Sequence, residues 1–332
     1  MTWDQQQAVR IVARPIQRSV PQSIMIGLLD ALALLSLSLV PLTNGSPIQQ
    51  APSVCNGSGA LCNRSYSNIT FIGTHDSAFV GSTSDPRVNQ EKSVTDQLNA
   101  GIRYLQAQTH SLAGTLSMCH TSCLELYAGS LVDYLTPIKT WLDANPNDVI
   151  SLLLVNGDNV NVSQFDSAFS SANLNDYAFV PSSSPAILPI SAWPTLSQLI
   201  STNKRLIIFL DAGADTTSVP YILPEFSYYF ETPYDVTDPS FGPATCNLDR
   251  PAGSSPEGKM YIVNHFLDQD ILGIDIPDND KDSSTNAATG AGSIGAQASE
   301  CEGVYDRRPN VVLVDMFDRG DVFGAQRALN GL

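Results

Sequence analysis

The sequence predicts a parallel α/β fold, and three observations support this fold class. Short apolar runs rich in β-branched residues alternate with longer segments of helical character, as they do in parallel α/β architectures. Runs such as 151–155 and 206–210 are almost continuously apolar, which is typical of strands buried on both faces. Polar residues follow one run after another, at the strand ends where β/α barrels build their sites.

The candidate elements follow one another along the chain from residue 69. Candidate strands lie at 69–73, 102–108, 149–155, 206–210, 260–264 and 311–317, and candidate helices at 94–100, 131–143, 162–172 and 196–202. We expect 268–302 to form a long surface loop, because it is rich in Asp, Ser, Gly and Ala and poor in large apolar residues. A doubly wound sheet would also bind ligands at its strand ends, but no candidate strand is followed by a glycine-rich nucleotide loop.

The composition is that of a globular, acidic protein. With 332 residues, of which 43% are hydrophobic and 15% charged, the chain is long enough for one large α/β domain or two ordinary domains. Its formal net charge of −16 argues against nucleic acid as a partner, because phosphate backbones attract basic surfaces. The same charge disfavours electrostatic attachment to anionic membranes.

The N-terminal region, residues 1–46, predicts export. Three arginines precede an apolar run at 24–40, which is interrupted by Asp30 and followed by small and polar residues, as in a signal peptide. An uncleaved signal anchor is the alternative, because the run approaches membrane-spanning length. Asp30 and the break at Pro41 disfavour the anchor, so we expect a secreted protein rather than a membrane-tethered one.

The cysteines and the glycosylation sequons agree with secretion. All six cysteines follow the apolar run, at Cys55, Cys62, Cys119, Cys123, Cys246 and Cys301. An even number in an exported chain suggests disulfides. Fifteen pairings exist, and proximity in the sequence favours Cys55–Cys62, Cys119–Cys123 and Cys246–Cys301. Sequons occur at Asn56, Asn63, Asn68 and Asn161, as expected of a glycoprotein.

Two of the four histidines lie in motifs at strand ends and are the candidate catalytic groups. His75 belongs to the motif I-G-T-H-D-S-A at 72–78, and His120 to M-C-H-T-S-C at 118–123. Two imidazoles with pKa values near 6.5 can serve as general base and general acid around one phosphodiester. Polar residues near the ends of the intervening and later strands are candidate substrate-binding groups, namely Gln106, Gln108, Asn156, Asp211 and Asn264.

At these motifs, together with G-I-R-Y-L-Q-A-Q at 101–108, the chain resembles the X-domain superfamily of phosphatidylinositol-specific phospholipase C. More closely, it resembles the secreted fungal PLC-like phosphodiesterases. The resemblance runs from about residue 66 to the C-terminus and is weakest over 268–302. It implies a distorted TIM-type β/α barrel at 66–332, preceded by a linker at 47–65.

The resemblance also implies a reaction and the residues that perform it. His75 would be the base that activates the inositol 2-hydroxyl, and His120 the acid that protonates the departing diacylglycerol oxygen. Asp76 would orient and charge-stabilise His120. A carboxylate on the last strand, Asp315 rather than Asp318, would do the same for His75. The implied activity is that of a phosphoric diester hydrolase of lipid metabolism, acting on an inositol phospholipid or related phosphodiester.

Gln106 and Gln108 depart from the pattern of the active relatives. Bacterial members carry Asp and Arg at these two positions, and calcium-dependent members carry Glu and Asp. A cation normally stabilises the charge on the phosphoryl oxygens, and strand alternation places Arg103 on the opposite face. If the missing cation limits the rate, Gln108→Arg should raise it.

No cofactor is expected, and calcium is disfavoured. Calcium needs several oxygen ligands, usually including carboxylates, and only Asp76, Asp211 and Asp315 are candidates. The expected partner is a phospholipid or another phosphodiester, with transient contact to a membrane surface. The sequence leaves the oligomeric state open. It also leaves open two other functions, a catalytically weak lipid- or inositol-phosphate-binding protein and, less favoured, a glycoside hydrolase that would need two facing carboxylates.

Overall fold

A computed structural model of the chain describes residues 52–272 and 275–332. The expected signal or anchor region, 1–46, lies outside these residues. The strands are β1 (Phe71–Thr74), β2 (Tyr104–Leu112), β3 (Thr115–His120), β4 (Leu126–Ser130), β5 (Ile150–Asn156), β6 (Leu206–Leu210), β7 (Ile222–Pro224), β8 (Tyr229–Glu231), β9 (Met260–Asn264), β10 (Asp268–Asp270), β11 (Asp275–Pro277) and β12 (Val311–Val314). The helices are α1 (Val94–Ala100), α2 (Leu131–Ala144), α3 (Val162–Ser171), α4 (Leu196–Ser201), α5 (Glu225–Tyr228), α6 (Asp282–Thr285), α7 (Ile294–Tyr305) and α8 (Val322–Asn330).

A curled parallel sheet forms the centre of the fold and confirms the predicted α/β barrel class. In the described part of the chain, eight strands pair in parallel in the order β7-β6-β5-β2-β1-β12-β9-β8. The ladder is not closed by hydrogen bonds between β7 and β8, so the barrel has a seam there. The short helix α5 joins these two strands and therefore lies at the seam.

Alternate residues of the strands pack on two different sides. In β6, Leu206, Ile208 and Leu210 belong to the buried cluster that the sheet shares with its helices. Ile207 and Phe209 belong to a second cluster, in which the Phe209 ring lies 5.0 Å from the ring of Tyr229 in β8. A strand whose two faces are both covered must be apolar throughout, which explains the sequence of β6.

The predicted helices begin where their capping residues stand. The Ser130 hydroxyl accepts a hydrogen bond from the backbone N–H of Asp133, and the Asp133 carboxylate accepts one from the backbone N–H of Ser130, forming a capping box at the start of α2. Thr195 and Gln198 form the same reciprocal cap on α4. Such caps satisfy backbone donors that the first helical turn leaves without partners, so the two starts could be read from the sequence.

The segment before the barrel is packed rather than linker-like. The Cys55–Cys62 disulfide closes a short turn, in which Leu61 is buried. The Asn56 carboxamide exchanges two hydrogen bonds with the backbone of Val149, at 2.7 and 3.0 Å. The part of the expected linker that the structure describes, 52–65, therefore belongs to the folded body, because the Asn56 hydrogen bonds and the buried Leu61 hold it against the barrel.

The segment 268–302 is not the surface loop that its composition suggests. It forms the antiparallel β10–β11 pair and the helices α6 and α7. The Cys246–Cys301 disulfide ties α7 to the chain before β9. The buried Asn286 carboxamide donates hydrogen bonds to the backbone carbonyls of Asp315 and Met316. The small and polar residues of this segment allow it to pack closely against the end of β12.

A G-x-G-x-x-G pattern at 290–295 also lies in this segment. It opens α7 and follows α6 rather than a strand of the barrel. A Cβ atom on Gly292 would approach the carbonyl oxygen of Pro239 to 2.0 Å, so this glycine allows close backbone packing. The pattern lacks the strand–loop–helix setting of a dinucleotide site.

The antiparallel strands β3 and β4 extend the sheet beyond the barrel and were not predicted. Strand β2 continues past the barrel to Leu112, and β3 returns antiparallel to it with Thr109 opposite Met118. This return carries His120 back to the carboxyl ends of the barrel strands.

All three disulfides favoured by sequence proximity are present, including Cys119–Cys123 around His120. No helix within 52–272 and 275–332 is long and apolar enough to cross a membrane.

Candidate active site

His75 stands directly after β1 and is held on two sides. Its Nδ1 lies 2.9 Å from Oδ1 of Asp315, which directly follows β12. Because β1 and β12 are neighbouring parallel strands, their carboxyl ends place these two residues side by side. The imidazole stacks on the Phe266 ring, with 3.7 Å between centroids and 2° between planes. The ring therefore has a fixed orientation that leaves Nε2 facing Asp76.

His120 reaches the same point from the end of β3. Its Nε2 lies 3.2 Å from Oδ2 of Asp76, and the same oxygen lies 3.4 Å from Nε2 of His75. The two imidazoles thus present their Nε2 atoms to one carboxylate oxygen. The structure brings together His75, His120, Asp76 and Asp315, the four residues that the resemblance marks as catalytic.

Asp76 is completely buried, and two glutamine side chains hold its backbone N–H and one of its carboxylate oxygens. Its backbone has φ of +43°, a left-handed conformation that Asp adopts more readily than most residues. The backbone N–H of Asp76 donates to Oε1 of Gln106 at 2.7 Å. The side chain accepts a hydrogen bond from Nε2 of Gln108 at 2.8 Å. The position of Asp76 is therefore set by two residues of β2.

The carboxylates raise the pKa values of both histidines. For His75, burial by itself lowers the pKa, but Asp315 and then Asp76 outweigh burial and raise it to about 9. For His120, burial likewise opposes the charged form, and the hydrogen bond and charge of Asp76 raise the pKa above its ordinary value. In both residues the nearby negative charge favours the imidazolium more than desolvation disfavours it.

Two amide residues that no sequence motif singles out complete the support of the His75–Asp315 pair. Asn89 Nδ2 donates to Oδ2 of Asp315 at 3.1 Å. Gln90 Nε2 donates to the backbone carbonyls of His75 and Val314, at 2.9 and 3.1 Å. Asn89 and Gln90 lie in a polar loop without periodicity, so only the fold shows that they hold the His75–Asp315 pair.

A cavity of about 220 Å³ opens beside His75. Gln106, Gln108, Asp211 and Asn264, four of the candidate substrate-binding residues, line it. The fifth, Asn156, lies behind the wall, where its carboxamide exchanges hydrogen bonds with the backbone of Val160 and donates one to Ala212 O. We therefore leave Asn156 out of the proposed site, since its side chain is used to fix the loop after β5.

The wall of the cavity far from His120 is an ionic cluster that the sequence analysis missed. Glu225 in α5, Glu231 in β8 and Arg250 line this wall. Arg250 Nη2 and Oε2 of Glu231 form an ion pair, and the guanidinium lies over the Tyr234 ring at 4.4 Å. Asn264 Nδ2 donates to the same Glu231 oxygen at 3.0 Å. These residues meet at the seam between β7 and β8, which no sequence period reveals.

The two glutamates of this cluster have opposite protonation preferences. Burial, reinforced by the charge of Glu231, raises the pKa of Glu225 well above its ordinary value. Burial also acts to raise the pKa of Glu231, but Arg250 and hydrogen bonds outweigh it and lower that pKa. One proton is therefore held on Glu225 and one negative charge on Glu231. Burial likewise raises the pKa of Asp211.

The remaining polar candidates lie away from the cavity. Asp318 pairs with Lys92 at 3.3 Å, so Asp315 was the correct choice of partner for His75. Arg103 pairs with Asp148 at 2.9 Å and is not among the residues lining the cavity, as strand alternation predicts. Among the described residues, no group of three or more His, Cys, Asp or Glu side chains could hold a metal ion.

Comparison with known proteins identifies the family. Residues 61–330 match the family described as PI-PLC X 1. The chain belongs to the PI-PLC X family. The PI-PLC X domain-containing protein 1 of Arthroderma benhamiae is 52% identical over 281 residues, which cover 84% of this chain and 90% of that protein. An uncharacterized secreted protein of the same organism is 42% identical over 278 residues, covering 82% of this chain and 62% of that protein.

Solved structures of PI-PLC enzymes share the fold of this family member. Phosphatidylinositol-specific phospholipase C of Listeria monocytogenes superposes with a TM-score of 0.55 at 15% identity, covering 82% of this chain and 95% of that chain. A Staphylococcus aureus phosphatidylinositol-specific phospholipase C gives a TM-score of 0.51 at 15% identity, covering 82% and 99%. At this identity the likeness concerns the barrel, and the roles of individual side chains rest on the geometry above.

Proposed function

We propose that this PI-PLC X family member is a phosphoric diester hydrolase that cleaves an inositol phospholipid or a related phosphodiester. The observation that carries the proposal is the convergence of His75 Nε2 and His120 Nε2 on one oxygen of Asp76, at 3.4 and 3.2 Å. A base and an acid so placed can act on the two ends of one displacement at phosphorus. The cavity beside His75 gives room for the head group.

The proposed reaction needs the two histidines in opposite protonation states. Nε2 of neutral His75 accepts the proton of a hydroxyl adjacent to the phosphate, and that oxygen forms a bond to phosphorus. The bond from phosphorus to the lipid alcohol breaks, and Nε2 of protonated His120 gives its proton to the departing oxygen. The products are a cyclic phosphodiester and a free alcohol. Asp315 fixes the Nδ1–H tautomer of His75 and stabilises the imidazolium that forms.

Stabilisation of the phosphoryl oxygens has to come from donors other than a strand β2 cation. Gln106 lines the cavity and uses its Oε1 for the backbone of Asp76, so its amide nitrogen is the donor we assign to a phosphate oxygen. The imidazolium of His120 supplies positive charge at the same place. A single well-placed donor is worth about 10²–10³ in rate, which sets the size of the contribution expected from the Gln106 amide.

The ionic wall suits a polyol head group. Carboxylate, carboxyl, guanidinium and carboxamide groups accept and donate hydrogen bonds in the pattern that vicinal hydroxyls need. Glu225 and Glu231 share a hydrogen bond with each other, so they do not face each other across a sugar ring as a glycosidase pair does. We place the enzyme outside the cell, since its three disulfides persist in oxidising compartments.

The test is to incubate purified protein with phosphatidylinositol vesicles, with and without EDTA, and to follow cyclic inositol phosphate by phosphorus NMR. We expect product that survives EDTA, is lost with His75→Ala and is retained with His110→Ala, a histidine outside the cavity lining. Absence of product under every condition would refute the enzymatic proposal for this lipid. Loss of product in EDTA alone would show that a metal takes part.

A binding protein on the same barrel is the second candidate function. The observation that favours it is the raised pKa of His75, about 9, which keeps the residue positively charged near neutral pH and suited to hold a phosphate. Isothermal titration with inositol phosphate separates the two functions. Micromolar binding without turnover between pH 6 and 9.5 would support the binding protein, whereas turnover that increases with pH would support the enzyme.

A further inference from the structure

Gln108 connects a disulfide-closed loop to the carboxylate that lies between the two histidines. Its Nε2 donates to Oδ2 of Asp76 at 2.8 Å, and its Oε1 accepts from the backbone N–H of Thr121 at 3.0 Å. Both ends of the carboxamide are therefore in use. We propose that Gln108 is a positioning residue that, together with the Cys119–Cys123 loop, holds His120 against Asp76.

The loop that carries His120 is held at its base by strand pairing, with His120 opposite Leu126, and the edge of the Phe79 ring contacts the imidazole. The Cys119–Cys123 disulfide closes the loop, and Thr121 lies inside it with φ of +56°, a conformation that non-glycine residues adopt rarely. Leu124, directly after the loop, is fully exposed, so its side chain adds no packing that would hold the loop. The disulfide restricts the shape of the loop, and Gln108 fixes that shape to the barrel through Thr121.

The chemistry of a carboxamide is what this connection needs. One end must accept from a backbone N–H and the other must donate to a carboxylate, and glutamine does both. An arginine at position 108 has donors only, so it would leave the Thr121 N–H without its acceptor. A glutamate has acceptors only and would place a second negative charge against Asp76. The neutral residue here is therefore suited to a different task from the cation of the bacterial relatives.

This role deepens the proposed function and rests on it, because His120 is taken as the general acid. It also reverses an expectation from the sequence alone. If Gln108 merely lacked a charge that would face phosphate, Gln108→Arg would raise kcat. If Gln108 is a positioning residue, both Gln108→Arg and Gln108→Leu should lower kcat by about 100-fold, which is the effect of displacing a catalytic group by about 1 Å. KM should change little.

A double-mutant cycle tests whether Gln108 and the loop act as one unit. Opening the loop with Cys119→Ser and Cys123→Ser should lower kcat by a similar factor. Adding Gln108→Leu should then lower it by less than about threefold further, because residues of one network are not additive. The matched control opens the Cys55–Cys62 turn, in which Asn56 bonds to Val149 before the start of β5 rather than at the carboxyl ends of the strands. In this control background the effect of Gln108→Leu should be unchanged. If the two separate losses in kcat multiply in the variant that combines the loop opening with Gln108→Leu, the proposal is overturned.

A titration that needs no turnover separates this proposal from the proposed function. In ligand-free protein, the His120 imidazole is titrated by NMR in wild type, in Gln108→Leu and in the loop-opened variant. We expect its pKa to fall towards 6.5 in both variants, because His120 moves away from Asp76, while His75 stays raised. An unchanged or higher His120 pKa in Gln108→Leu would refute positioning, since removing only a donor to Asp76 strengthens that carboxylate. The Gln108→Leu result stands alone if the loop-opened variant does not fold.

Discussion

Asp315 Oδ1 lies 2.9 Å from His75 Nδ1, although 240 residues separate the two in sequence. The first and last strands of the barrel, β1 and β12, pair in parallel in the middle of the sheet, and this pairing brings the two residues together. Asp315 is itself held by Asn89 Nδ2 at 3.1 Å and is 2% exposed. The Asp315 carboxylate is therefore held at both oxygens and orients the His75 imidazole.

Asp315→Asn should lower kcat by about 10²–10⁴-fold, the contribution of an oriented acid–base group. An asparagine amide cannot stabilise the imidazolium, and its NH₂ end favours the wrong tautomer of His75. Steady-state kinetics on phosphatidylinositol measure the loss. Asp318→Asn is the matched control, since Asp318 pairs with Lys92; equal losses in the two variants would contradict the assigned role of Asp315.

The pH dependence of the rate should reflect the opposite protonation states that the reaction requires of the two histidines. His75 has a pKa of about 9, so at pH 7 only about 1% of the molecules carry the neutral base. Because His75 must be neutral and His120 protonated, we expect kcat/KM to rise about tenfold per pH unit below both histidine pKa values, to level off between them and to fall above both. Both pKa values are raised above 6.5, so a profile that is flat from pH 4.5 to 6.5 would show that His75 is not the base. Asp315→Asn should shift the rising limb to lower pH.

The free energy of unfolding should fall between pH 6.5 and 9.5. The folded-state pKa of His75, about 9, lies above the unfolded value of 6.5, so its stabilisation is complete below pH 6.5 and is lost as pH rises through 9. The loss is on the order of 3 kcal/mol. Urea unfolding at pH 6.5 and 9.5 measures it. His75→Gln should remove this part of the pH dependence, whereas His110→Gln should leave it in place.

Glu225→Gln and Glu231→Gln should have very different costs at pH 7. Glutamine imitates the protonated Glu225, whose raised pKa keeps it neutral, so the free energy of unfolding should change by less than about 1 kcal/mol. Glu231→Gln removes the charge that Arg250 pairs with and should cost about 2 kcal/mol, less than a fully buried pair because Arg250 is 39% exposed. Chemical denaturation compares the two. Equal costs would contradict the assigned charges.

Removing the Cys246–Cys301 disulfide should destabilise the fold without changing the chemistry. The bridge spans 55 residues, and closing a loop of that length in the unfolded chain is worth roughly 4 kcal/mol. Cys246→Ser with Cys301→Ser should lower the free energy of unfolding by that order and leave the His75 pKa near 9. A fall in kcat at a temperature where the variant is still folded would show that α7 also shapes the site.

Prediction from the sequence worked best where one physical pattern dominates. The strand at 206–210 was placed with its observed bounds because burial on both faces requires an unbroken apolar run. Helices α2 and α4 start at their capping residues for the same kind of local reason. Helices α6 and α7 were missed because 268–302 has the composition of a loop, and its burial comes from packing against the end of β12. Strands β3 and β4 were missed because they lie outside the alternation of parallel strands and helices that predicted the barrel.

By itself, the sequence determined the α/β class and the disulfide pairs, and it marked His75, His120, Asp76 and Asp315 as candidate catalytic residues, since each depends on local periodicity, proximity in the chain or a motif. Only the tertiary structure decided what surrounds these four residues. Glu225, Glu231 and Arg250 meet at a barrel seam, and Gln108 uses both ends of its carboxamide on Thr121 and Asp76. The reason is physical: a hydrogen bond or an ion pair depends on distance in space, and strand pairing sets that distance between residues that the chain keeps far apart.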